Sequence, residues 1–124
     1  MKMLGEYRIP APREAVWESL NDPTILAKCL NGCERLEKLS ATQFEGVVTF
    51  KIGPIKPTFA CTIELSEIDP PNAYVISVMG KGGTAGFAKG SAKVQLIDEN
   101  GITVLGYTVD VRLGGRLGQM GARC

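Results

Sequence analysis

The feature that most limits how this chain can fold is a two-residue alternation of apolar and polar side chains, running with brief breaks from Phe44 to Val111. Phe44, Gly46, Val48, Phe50 and Ile52 fall on one side of an extended chain, opposite Glu45, Thr49 and Lys51. Phe59, Cys61, Ile63, Leu65 and, further on, Ile68 repeat the pattern. Tyr74, Ile76 and Val78 follow, then Ala88, Gly90, Ala92, Val94 and Leu96, then Leu105, Tyr107, Val109 and Val111. Successive side chains of a strand point to opposite faces, so each run is a strand with one apolar face. The breaks carry turn chemistry: Gly53-Pro54, Asp69-Pro70-Pro71-Asn72, the glycine-rich stretch Gly80–Gly86, and Asp98-Glu99-Asn100-Gly101. Such hairpin connections imply antiparallel pairing, and one apolar face per strand implies a sheet covered on one side.

The first third of the chain is different. Met3 to Ile9 alternates and predicts a first strand, which Pro10 ends. Pro12 suits the first turn of a helix, Glu14 complements its N-terminus, and Val16, Trp17 and Leu20 lie at helical spacing. Asn21-Asp22-Pro23 breaks that helix and starts a second, from Pro23 to about Leu30, which Asn31-Gly32 closes. Leu36 to Ser40 is the next candidate strand. The predicted plan is α+β: a curved antiparallel sheet of six or seven strands, two short helices after the first strand, and the opening turns of a C-terminal helix after Gly114-Gly115. Residues 1–124 read as one domain.

Composition removes several function classes. A hydrophobic share of 44% against 22% charged residues suits a globular core rather than a disordered chain. The net charge of +1 gives no field to recruit nucleic acid. The N-terminal residues carry no signal-peptide pattern, and no apolar run approaches the ~18 residues of a membrane span, so the expected location is the cytoplasm. The chain has no histidine, which removes Ser-His-Asp and Cys-His nucleophile systems. Its carboxylates form no convergent pair for acid–base work. Cys29 and Cys33 would share a helix face, but Cys61 and Cys124 supply no second close pair, so thiols without metal are the favoured reading. Gly80-Lys81-Gly82-Gly83-Thr84-Ala85 matches a loose dinucleotide pattern, yet an alternating strand follows it, which suits a hairpin tip. Lys81, Lys89, Lys93, Arg112, Arg116 and Arg123 bias the second half towards positive charge; a solvated outer face explains this, as does weak attraction to an anionic membrane or an acidic partner.

Two short helices cannot cover a face this wide. The candidate ligand-lining residues are therefore Phe50, Phe59, Ile63, Ile76, Val78, Ala88, Gly90, Ala92, Tyr107 and Val109. Among them Ala88, Gly90 and Ala92 are small where neighbouring strands place Phe, Ile and Leu. Either a helix backbone packs close there, or the strip leaves a concavity for an apolar ligand.

Several segments resemble a known family. Gly5-Glu6-Tyr7, Ile9-Pro10-Ala11-Pro12, Val16-Trp17 and Asn21-Asp22-Pro23 are similar to the opening of the START-like, polyketide-cyclase-like (SRPBCC) superfamily. Cys29-Leu30-Asn31-Gly32-Cys33-Glu34, Lys51-Ile52-Gly53-Pro54-Ile55-Lys56 and Gly80 to Gly90 resemble the CoxG family of carbon monoxide dehydrogenase subunits, over essentially the whole chain. The resemblance implies a helix-grip fold with a hydrophobic cavity, and no catalytic residue set. It implies an accessory protein of a carbon monoxide dehydrogenase-type molybdenum hydroxylase, binding a quinone-like ligand, with no covalent cofactor, and aiding recruitment to the inner face of the cell membrane. Family members continue through a full closing helix, whereas this sequence stops at Cys124, so its C-terminal helix is expected to be incomplete. The uncovered groove would then favour a homodimer. The alternatives are a cyclase- or hydratase-type enzyme using Tyr74 and Tyr107, and a ligand-free assembly chaperone.

Overall fold

The computed structural model describes residues 1–29, 32–49, 51, 53–116 and 118. In chain order the elements are β1 (Lys2–Ile9), α1 (Arg13–Leu20), α2 (Pro23–Cys29), β2 (Cys33–Lys38), β3 (Gln43–Thr49), β4 (Thr58–Asp69), β5 (Ala73–Lys81), β6 (Phe87–Glu99) and β7 (Ile102–Gly114). The seven strands form one antiparallel sheet in the order β1-β7-β6-β5-β4-β3-β2. From β2 to β7 every strand pairs with its sequence neighbour, as hairpin connections dictate; β1 crosses over to pair with β7. The β6–β7 turn uses Asn100 and Gly101 at φ 54° and 85°, the left-handed pair that matches strand twist in a two-residue hairpin.

Helix α1 lies on one face of the sheet, and α2 packs beside it against the edge strand β2. Val16 of α1 packs with Phe44, Leu65, Tyr74, Val94 and Leu96, with Trp17 and Leu20 alongside. Trp17 meets the Tyr74 ring edge-on, at 5.3 Å between centroids and 87° between planes. Two polar ties fix α1 against the sheet. Thr103, fully buried, donates its hydroxyl to the Ala11 carbonyl at 2.7 Å, and Arg13 donates to Asn72 Oδ1 at 2.7 Å.

The elements depart from expectation at four places. The second strand begins at Cys33 and ends at Lys38; Ser40 is a turn residue whose hydroxyl accepts the Thr42 and Gln43 amides. Cys33 therefore opens a strand and does not share a helix face with Cys29. Ile68 leaves the apolar face: Glu67 takes φ 48°, the register shifts between Ser66 and Asp69, and Ile68 is 40% exposed. Pro12 precedes α1 in an extended conformation rather than forming its first turn. Gly80 and Lys81 belong to β5, so the hairpin tip is confined to residues 82–86, with a short 3₁₀ turn at Gly83–Ala85. Residues 115, 116 and 118 are helical. Most of the expected helix from Arg116 to Cys124, with Phe50 and Ile52, lies outside the described residues.

Candidate functional site

Cross-strand partners share a face of an antiparallel sheet, so the registers place side chains in rows across the helix-bearing side. One row runs Tyr74, Val94, Tyr107, Gly5. The next runs Leu65, Ile76, Ala92, Val109, Met3. A third runs Phe44, Ile63, Val78, Gly90, Val111, and a fourth runs Gly46, Cys61, Gly80, Ala88, Leu113. The buried core Val16, Tyr74, Val94 and Leu96 lies at the first of these rows and beyond it, under the helices. Further along, Val78, Ala88, Gly90, Ala92, Val109 and Val111 are only half-buried, and Met3 is 49% exposed.

The nine described candidates fall together on this face. Ile63 and Ile76 pack against the core at its margin. Val78, Ala88, Gly90, Ala92 and Val109 occupy the part beyond the helices. Phe59 is closed off, 2% exposed, and acts as floor: a Cβ on Gly82 would stand 2.6 Å from its ring. Tyr107 folds over Gly5, where a Cβ would meet its hydroxyl oxygen, and its ring stacks on Tyr7 with centroids 5.7 Å apart and planes at 21°. Phe50 lies outside the described residues.

The register adds residues that strand-by-strand reading missed. Gly46, Cys61, Gly80 and Ala88 form a line of small side chains across β3, β4, β5 and β6, meeting the Ala88-Gly90-Ala92 strip at Ala88. Their smallness is visible in the sequence, but their alignment depends on strand register. The two lines differ in exposure: Gly46 and Gly80 are buried, with Leu36 and the Phe59 ring packed against them, whereas Ala88, Gly90 and Ala92 are half-buried, so the β6 strip is the open part of this apolar surface.

The chemistry available there is limited. Proximity to Tyr7, then partial burial, raises the Tyr107 phenol above its usual value, and burial does the same for Tyr74. Both are neutral hydroxyls at ordinary pH. Burial, with Cys33 nearby, raises the Cys61 thiol as well. Cys33 and Cys61 are free thiols, and among the described residues no three His, Cys, Asp or Glu side chains come together as a metal site.

A curved seven-stranded antiparallel sheet with two short helices fits the helix-grip fold, an α+β class. The structure of Ara h 8.0201 superimposes with a TM-score of 0.69 at 15% identity, over 93% of this chain and 79% of that one. A Rhizobium loti protein, Mll3558, does so at 0.73 and 16% identity, over 99% and 86%. A conserved protein from Geobacillus kaustophilus is much nearer, with a TM-score of 0.89 and 31% identity over 99% of this chain and 81% of that one. Among curated proteins none matches the chain in sequence. The chain belongs to the CoxG family of carbon monoxide dehydrogenase subunits, whose sequence profile matches residues 5–124.

Proposed function

We propose that this protein is a non-catalytic accessory to a carbon monoxide dehydrogenase-type molybdenum hydroxylase, and that it carries an apolar, quinone-like ligand on the open strip of its helix-bearing face. The observation that carries this reading is the half-buried small-residue strip Ala88-Gly90-Ala92, lying among Ile and Val side chains that α1 and α2 leave open. A ring with an apolar tail needs concave apolar surface and few polar groups. The Tyr7–Tyr107 pair at one margin offers hydroxyls for a ligand carbonyl.

Recruitment to an anionic membrane fits the distribution of charge. Lys51, Lys56, Lys81 and Arg116 stand exposed at one end of the strands, beside Ile55, 38% exposed, and Phe87, 44% exposed. The opposite end carries Glu67, Asp69, Asp98 and Glu99. Basic residues near an anionic surface contribute about 1 kcal/mol each, and the two exposed apolar side chains add a reason to stay. No helix among the described residues is long and apolar enough to cross a membrane.

Native mass spectrometry of protein purified from its own host tests the carrier reading. The expected spectrum shows a lipophilic adduct at one copy per chain, released by organic extraction. Apo protein that takes up no added menaquinone or ubiquinone to the solubility limit would refute it.

A further inference from the structure

The face of the sheet turned away from the helices holds a groove of about 590 Å³, within the range of small-molecule sites. Its floor is the cross-strand pair Ser77 and Ser91. On one side stand Lys89 and Arg112, exposed and directly opposite each other on β6 and β7. Like charges so placed repel. Neither takes part in the ion pairs found among the described residues. Asp110 also lines the groove, opposite Ser91; it faces Lys2 across β1 and lies 4.0 Å from the exposed N-terminal ammonium, which offsets part of its charge. Glu64 stands on the far side, beyond Ser77. The groove thus combines two cations with no ion-pair partner among the described residues, a hydroxyl floor and a hydrogen-bond acceptor opposite.

We propose that this groove is a second binding site, separate from the apolar strip, for a small polar phosphate ester. Its anionic group sits between Lys89 and Arg112, and its hydroxyl-bearing part lies over Ser77 and Ser91 towards Glu64. Ionised donors facing a phosphate make the stronger class of hydrogen bond, and the ligand relieves the repulsion that the two cations otherwise bear.

Amide-resolved NMR titration of the intact protein with inorganic pyrophosphate tests this, with phosphatidylcholine vesicles, with and without phosphatidylglycerol, as a separate arm. The expected result is saturable shifts confined to the groove, with affinity falling about tenfold or more in Lys89→Gln and in Arg112→Gln. Lys93→Gln, on the same face but outside the groove, should bind as the unsubstituted chain does. All three positions are exposed, so the variants should fold, and pyrophosphate should raise the melting temperature of the unsubstituted chain but not of Lys89→Gln. Absence of saturable shifts, equal weakening by Lys93→Gln, or a groove response to phosphatidylglycerol vesicles but not to pyrophosphate would overturn the proposal.

Discussion

Single residues carry much of the support for the apolar face. Phe59 is 2% exposed and packs where Gly80 and Gly82 leave space for its ring. Phe59→Ala leaves a cavity that these glycines cannot fill, so equilibrium denaturation should show a loss of about 3–5 kcal/mol. The tyrosines make a pH prediction. The folded state raises the phenols of Tyr74 and Tyr107, favouring their neutral forms. Their contribution to stability is present below the usual phenol value of about 10 and is lost as pH rises above it. Urea midpoints should therefore fall more steeply at alkaline pH in the unsubstituted chain than in Tyr74→Phe, and phenolate absorbance in Tyr74→Phe should lack a late-titrating step. Which residues are apolar was legible from the alternation alone. That Tyr107 would lie over Gly5 was not, because the contact joins residues about a hundred positions apart through the β1–β7 register.

At the scale of elements, strands whose alternation ends in a strong turn signal were legible to within a residue or two, as with β6 and its Asn100-Gly101 turn. Two boundaries were hidden by local chemistry. Ser40 resembles a strand end by pattern, but its hydroxyl caps the turn into β3. Ile68 keeps the apolar identity of its strand while the backbone at Glu67 turns it outward. The helices depend on polar ties that no periodicity reveals. Arg13 holds α1 to the β4–β5 turn through Asn72, and its Nε is buried with no hydrogen-bond partner among the described residues. Asn72→Ala removes an acceptor from a part-buried guanidinium, so a loss of about 1.5–3 kcal/mol in chemical denaturation is expected. Asn72→Asp should retain most of that stability.

Across the whole molecule, one sheet separates two surfaces of opposite character, with helices and apolar strip on one side and a polar groove on the other. A second asymmetry runs along the strands, from the basic end at Lys51, Lys56, Lys81 and Arg116 to the acidic end at Asp69 and Glu99. If the basic end meets a bilayer, co-sedimentation with phosphatidylglycerol vesicles should be strong at low salt, weaken as ionic strength shortens the screening length to about 8 Å, and fall further in Lys51→Gln with Lys56→Gln. Net charge could not foretell this, since +1 is 14 Lys and Arg against 13 Asp and Glu over the whole chain and says nothing of where they lie. The Ala88-Gly90-Ala92 strip was legible because it follows one strand, whereas the Gly46-Cys61-Gly80 line, closed by Leu36 and Phe59, exists only once the strands are in register. The carrier reading rests on the Ala88-Gly90-Ala92 strip being space for a ligand, since the Phe59 ring fills the space beside Gly80. Its most direct test is a menaquinone titration followed by quenching of Trp17 and tyrosine fluorescence, comparing the unsubstituted chain with Ala92→Phe. Saturable quenching in the first and its loss in a folded Ala92→Phe is the predicted result; equal affinity in both would contradict the strip as the place where the ligand is held.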